Sequence, residues 1–333
     1  MKPSPDRIMH IASAFYDSCV LFAAIDAGIF PKLAERGETD AAGVAGALGL
    51  DERGARLLLD ACVALGLLQK DGARYANAPD AAAFLVPGSP GDLSGAIRYN
   101  RDVYPAWGRL AEMVRTGKPV EKPEVHLGQD EQRTRTFVMA MHYRALAIGR
   151  AVVPLVDLSG AIRALDVGGG PGTYSVLLAK ANPGLACTVL DLPDVAHIAQ
   201  KLIVDQGMAD RVRTLPGDYH TAAFPPGNDA VMFFGCLHQE SPDSIRALFR
   251  KAHASLRPGG RVFVMDMMTD TTHTKPVFSA LFAVNMALTA ESGWVFSDAE
   301  LQGWLAEAGF GAFEVRPLPP PMPHWLASAR RAG

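Results

Sequence analysis

Cysteine is scarce. The chain has four in 333 residues, Cys19, Cys62, Cys187 and Cys236, and none forms a CxxC pair. That excludes a disulfide framework and a cysteine zinc site, and it reads as buried free thiols in a reducing, cytoplasmic setting. An excess of charge of one sign is also missing. Lys and Arg number 32 against 35 Asp and Glu, a net charge of -3, and no basic run occurs. Such a chain offers no field that would gather nucleic acid or an anionic membrane surface. The opening MKPSPDRIMH is not followed by the apolar core and cleavage site of a signal peptide. Apolar runs are broken by Asp, Gly or Pro short of a membrane span. There is no internal repeat and no low-complexity segment. What remains is an ordinary globular balance, 49% hydrophobic and 20% charged, in a chain long enough for two domains and a large core.

The most informative stretch is Ala164 to Asn182, ALDVGGGPGTYSVLLAKAN. An apolar run ends at Val167 and breaks into Gly168, Gly169, Gly170, Pro171 and Gly172. It resumes from Thr173 with helical apolar spacing. Strand, glycine turn and helix open a nucleotide-binding α/β unit. The turn must be tight and the ligand must lie against bare backbone, which glycine alone permits. The spacing differs from the dinucleotide fingerprint G-x-G-x-x-G. Asp166, Gly168, Gly170 and Gly172 fall on alternate positions instead. A second acid, Asp191, ends the apolar run CTVLD about 20 residues further on, where a carboxylate can accept both hydroxyls of a ribose.

The N-terminal third reads as three helices and a hairpin. Ile8, Ile11, Phe15, Cys19, Leu21, Phe22 and Ile25 have helical spacing up to Gly28. Thr39 or Asp40 caps a second helix. Asp51 opens a third, with Leu57, Leu58, Ala61 and Leu65 as its apolar face. Asp71-Gly72 is the turn of a hairpin. This is a winged-helix unit. DNA binding is one possible role, but the third helix sets Asp51, Glu52 and Asp60 against Arg53 and Arg56. Packing of FYDSCVLFAAIDAGIF on a second copy of the chain fits better. Pro79, Pro87, Pro90 and Gly91 mark loops, and Arg133 to Val153 is a long helix with Phe137, Met141 and Leu146 on one side.

From Ile162 onward strands and helices alternate, which predicts a doubly wound parallel sheet. Ligands of such sheets bind beyond the carboxyl ends of the strands. The glycine loop, Asp191, Gly217-Asp218-Tyr219 and His238 all fall at such ends. Asp218 is placed to bond an exocyclic amine, and Tyr219 and Leu192 to contact a ring. His238 is the best-placed general base, since an imidazole takes a proton near neutral pH. Glu240 or Asp266 is the candidate to hold its tautomer. Phe137, Met141, His142, Tyr143, Phe282, Asn285 and Met286 are candidates to line an acceptor pocket. A metal cluster of His238 and Glu240 with His142 or His273 is the weaker reading, and no metal is expected.

The motifs together resemble the small-molecule O-methyltransferases that use S-adenosylmethionine, of the acetylserotonin and caffeate type. LDVGGGPG resembles the family's cofactor loop, DLP its ribose turn and GDY its adenine-side turn. CLHQESPDSIRALFRKAHASLRPGGRVFVMD resembles the catalytic-histidine segment. The resemblance covers nearly the whole chain. It implies a Rossmann-like α/β methyltransferase sheet with an N-terminal, mainly helical, winged-helix dimerisation domain. The domains would be 1–100 for dimerisation, 101–155 as a helical connector to the substrate pocket, and 156–333 for the cofactor. It also implies a homodimer, a small aromatic or enolic acceptor, S-adenosylmethionine held by Asp166, Gly168, Gly169, Gly170, Gly172, Asp191, Leu192, Gly217, Asp218 and Tyr219, and His238 as catalytic base. The chain has His238-Gln239-Glu240 where the family has His-Asp-Trp, and the acid that assists the histidine would move, with Glu291 a candidate. A C- or S-methyltransferase on the same scaffold and a cofactor-sensing winged-helix regulator are the alternatives.

Overall fold

The structure is a computed structural model and describes residues 3–89, 91–121, 131–320 and 322–333, so Pro90 lies outside the described residues. The chain divides into two compact units, Met1–Asp102 and Val103–Gly333.

The first unit carries α1 (Asp6–Ser13), α2 (Phe15–Asp26), α3 (Ile29–Arg36), β1 (Thr39–Asp40), α4 (Ala41–Leu48), α5 (Glu52–Ala64), β2 (Leu68–Asp71), β3 (Arg74–Asn77) and α6 (Pro79–Phe84). Asp40 caps α4 by accepting from Gly43 N–H at 2.8 Å, and Asp51 caps α5 by accepting from Gly54 N–H at 2.7 Å. The hairpin β2–β3 turns at Gly72, whose φ is +55°, and β1 pairs with β3 to complete a three-stranded sheet. Three sequence expectations are corrected here. The buried face of α5 is Ala55, Leu59 and Cys62, while Leu57 and Leu65 are exposed. These i, i+4, i+7 positions share one face of the helix, whose main neighbours are α2, α4 and β2, so Leu57 and Leu65 point outward. The stretch Asp6–Asp26 is also long and apolar enough to match a membrane span, at mean hydropathy 1.6. Ile8, Met9, Ile11, Phe15 and Tyr16 are exposed on it, and Cys19 is half-buried rather than buried.

The second unit is built on a seven-stranded sheet. Its strands are β4 (Arg163–Val167), β5 (Ala186–Asp191), β6 (Val212–Pro216), β7 (Asn228–Phe234), β8 (Leu256–Asp266), β9 (Phe310–Pro317) and β10 (Trp325–Arg331), in the order β6-β5-β4-β7-β8-β10-β9. The first five are parallel. β10 runs antiparallel to both β8 and β9, so the sheet is mixed where a parallel one was expected. Helices α10 (Thr173–Ala181), α11 (Pro193–Asp205), α12 (Pro242–Ser255), α13 (Val277–Thr289) and α14 (Asp298–Glu307) connect the strands. Upstream lie α7 (Ser94–Trp107), within which the division between the units falls, α8 (Leu110–Thr116) and α9 (Glu131–Val152).

Alternation along the strands gives the sheet two apolar faces. Leu165, Val167, Val231, Phe233, Val262 and Val264 pack toward α12 and α14. Ala164, Val189, Met232, Phe234, Phe263 and Met265 pack toward α9 and α10. The buried stripe of α9 is Thr134, Val138, Ala145, Ile148 and Val152, a quarter-turn away from the predicted Phe137, Met141 and Leu146, which are half-buried. Ser297 and Glu300 form a capping box that starts α14.

Candidate active site

The site is assembled at the carboxyl ends of β4, β5, β7 and β8. At the end of β4 the chain turns through Gly168, Gly170 and Gly172, with φ of +64°, +53° and +69°. These left-handed conformations are strained for any residue with a side chain. Gly169 is needed for a different reason. A Cβ there would come within 2.7 Å of the Asp166 carboxylate and 2.8 Å of Val189. At Gly170 a Cβ would meet nothing within 4 Å, so this backbone faces open space.

Two carboxylates hold the loop. Asp166 is fully buried beneath it, with Oδ2 accepting from Ser175 Oγ at 2.7 Å and Oδ1 buried without a partner. Burial pushes its pKa up to about 7, helped by the nearby charge of Asp191. Asp191, at the end of β5, accepts from Gly170 N–H at 2.7 Å through Oδ2 and from Leu192 N–H at 2.8 Å through Oδ1. Burial raises its pKa to about 6. Gly217 N–H donates to the Asp191 carbonyl at 2.8 Å, which ties the β6 turn to the same place. Asp218 Oδ1 caps that turn by accepting from His220 N–H at 2.8 Å. Leu192 and Phe137 pack in one small cluster with Val138, Val195 and Ile198. His142 Nδ1 lies 2.7 Å from Thr173 Oγ1, the first residue of α10.

The second half of the site lies beyond β7 and β8. After Phe234 the chain makes one 3-10 turn, Leu237–Gln239, which carries His238. Its Nδ1 is 2.7 Å from Oδ1 of Asp266, the last residue of β8. Asp266 also accepts from the backbone N–H of His238 at 3.2 Å and of Met267 at 2.8 Å. It is therefore an acceptor in three contacts, which puts the imidazole proton on Nδ1 and leaves Nε2 as an acceptor. Among the described residues Nε2 has no hydrogen-bond partner. Glu240 does not take part. Its oxygens accept from Tyr219 Oη at 2.7 Å and from Ser244 Oγ at 2.5 Å, and His220 Nε2 is 3.3 Å away. Glu291 is exposed, so the histidine's acid is Asp266.

The seven expected pocket residues divide into two groups by their contacts. Phe282 is edge-on to the His238 ring at 5.2 Å and clusters with Met267, Met286 and Val295. Asn285 accepts from Trp107 Nε1 at 2.9 Å. Phe137 and His142 belong to the glycine-loop side, and Tyr143, stacked edge-on against His142, is 39% exposed. Met141 is half-buried on the same helix. Among the described residues no three His, Cys, Asp or Glu side chains are placed to hold a metal ion. Thr173 and Trp107 were not foreseen as partners of His142 and Asn285, 31 and 178 residues away, and Ser175, nine residues from Asp166, is one of several polar residues near the loop with nothing to single it out.

A family profile for an O-methyltransferase domain matches residues 107–311, and one for an O-methyltransferase dimerisation domain matches residues 9–87. The chain belongs to the O-methyltransferase family. It is 35% identical over 309 residues to the 3-hydroxy-5-methyl-1-naphthoate 3-O-methyltransferase of Streptomyces sahachiroi, covering 92% of this chain and 89% of that protein. It is 31% identical over 337 residues to the L-tyrosine C(3)-methyltransferase of Streptomyces lavendulae, covering 97% and 91%. The crystal structure of human N-acetylserotonin methyltransferase in complex with S-adenosylmethionine matches with a TM-score of 0.89 at 27% identity, covering 100% of this chain and 99% of that one. The enzyme is thus an S-adenosylmethionine-dependent methyltransferase. The loop fits that cofactor on its own geometry: an unpartnered buried carboxylate oxygen on Asp166, and bare backbone facing open space at Gly170.

Proposed function

We propose that this O-methyltransferase moves a methyl group to the hydroxyl of a small aromatic or enolic acceptor, with His238 as general base. The observation that carries the reading is the His238–Asp266 pair, with Nδ1 held at 2.7 Å and Nε2 left open. S-adenosylmethionine supplies a methyl on a positively charged sulfur, already a reactive electrophile. The protein's work is then to align the acceptor oxygen, exclude water and take one proton. Nε2 of His238 takes the hydroxyl proton as the oxygen attacks. Asp266 keeps the ring in the needed tautomer and stabilises the imidazolium that results. Phe282, Met286 and Asn285 bound the acceptor beside that ring. A product carrying labelled methyl as an aryl methyl ether, seen in a carbon NMR spectrum, is the expected result with phenols and naphthols. A ring-methylated product would replace this reading with C-methylation.

For the cofactor, Gly168, Gly169, Gly170 and Gly172 give the backbone cradle and Asp166 supports its amino-acid end. Asp191 exchanges Gly170 and Leu192 N–H groups for ribose hydroxyls. Leu192, Gly217, Asp218 and Tyr219 border the base, with Tyr219 fixed by Glu240. This arrangement has a pH signature. Burial holds the carboxyls of Asp166 and Asp191 at about 7 and about 6, whereas a cationic, hydroxyl-rich ligand favours their charged forms. Affinity for S-adenosylmethionine is expected to rise by roughly tenfold or more between about pH 5.5 and 7.5, measured by calorimetry. The cofactor-free chain should behave oppositely. Its raised carboxyl pKa values lower stability as pH climbs from the unfolded value, about 4, to about 7.

The matched dimerisation domain and the exposed Ile8, Met9, Ile11, Phe15 and Tyr16 support a homodimer closed through α1 and α2. Three buried free thiols suit a cytoplasmic enzyme.

A further inference from the structure

Beside the His238–Asp266 pair stands a second polar pair that this chemistry does not use. His324 lies just before β10. Trp325, the next residue, pairs with Asp266 across the sheet, so His324 sits at the same carboxyl end of β8. It is 7% exposed. Its Nε2 is 3.5 Å from Nη2 of Arg144, on α9. A guanidinium only donates, so Nε2 is the acceptor and the ring proton is on Nδ1. That Nδ1–H is buried and has no hydrogen-bond partner among the described residues. Burial and the charge of Arg144 keep this imidazole neutral, down to about 3, and the charges of Asp266 and His238 reach it. An unpaired buried donor is costly, and native structures keep few of them without a use. Tyr174 of α10, edge-on to Phe234 at 5.4 Å, is within reach of the charge of Arg144.

We infer that Arg144 and His324 form a subsite for a carboxylate carried by the same acceptor whose hydroxyl meets His238. Two donors from two different elements, one of them cationic, suit an anion that only accepts. The oxygens of Asp266, which would repel it, are engaged by His238 and Met267. A doubly charged phosphate monoester would suffer more from that carboxylate than a single carboxylate does. The inference rests on the acceptor reading above and narrows it to hydroxy acids.

The test is calorimetric titration of the S-adenosylhomocysteine complex with meta-hydroxybenzoate and with phenol, which lacks only the carboxylate. The benzoate is expected to bind about ten- to a hundredfold more tightly. His324→Phe and Arg144→Met should each erase that difference. Removing an unpaired donor should leave His324→Phe melting at or above the wild-type temperature. Should it not fold, Arg144→Met carries the test alone. Equal binding of the two probes by wild type, no binding of the benzoate, or a preference kept in Arg144→Met overturns the inference. Methyl transfer to phenol by an enzyme with no carboxylate preference would leave the O-methylation reading standing. A carboxylate preference without any transfer to hydroxyls would do the reverse.

Discussion

His238→Ala is expected to lower methyl-transfer kcat by about 10²–10⁴-fold while S-adenosylmethionine affinity stays within about twofold of wild type. The size follows from what is removed. The imidazole's Nε2 has no hydrogen-bond partner among the described residues, and its other nitrogen is committed to Asp266 at 2.7 Å. The cofactor loop draws nothing from it, since Asp166, Asp191 and the glycines make their contacts at β4 and β5. Single-turnover transfer with saturating cofactor separates the chemical step from binding. A variant that turns over like wild type would remove His238 as base, and one that loses the cofactor would show a structural role instead.

Asp191→Ala is expected to weaken S-adenosylmethionine binding by about 10²-fold, with the chain still folded. Its two oxygens now accept from Gly170 and Leu192 N–H groups at 2.7 and 2.8 Å. In the complex, each charge-assisted bond from this carboxylate to a ribose hydroxyl would contribute about 1.5–3 kcal/mol to binding. The carboxyl is also raised to about 6 by burial, so the free chain loses little stability when the charge goes. The expected pattern is therefore a large change in Kd with a near-constant or higher melting temperature. Binding at wild-type strength by the folded variant would detach Asp191 from the ribose.

The sequence carried the strand-end layout of the site because that layout is local. A glycine turn, an acid at the end of the next strand and a histidine after the fourth can each be read from a short window. What could not be read was which distant acid meets His238. Glu240 is two residues away and Asp266 is 28, yet the 3-10 turn at Leu237–Gln239 sends Glu240 to Tyr219 and Ser244. Parallel pairing of β7 with β8, Phe234 opposite Met265, is what brings Asp266 to the histidine. The reversed β10 was hidden for a similar reason. Strand direction depends on pairing partners, and two helices separate β8 from β9. Faces of apolar helices failed more simply. In α5 Leu57, Leu58 and Leu59 are consecutive, and the spacing alone did not mark Leu59 as the fully buried one. Arg144 and His324 left no signal at all, being 180 residues apart.

The most direct test of proton removal by Nε2 varies the acceptor rather than the enzyme. Single-turnover methyl transfer would be compared for wild type and His238→Ala with phenol and with a nitrophenol already ionised at the assay pH. The account predicts a large loss for phenol, about 10²–10⁴-fold, and a loss near tenfold or less for the ionised acceptor, which has no proton to give. An equal loss for both acceptors would contradict it and leave His238 only a part in shaping the pocket.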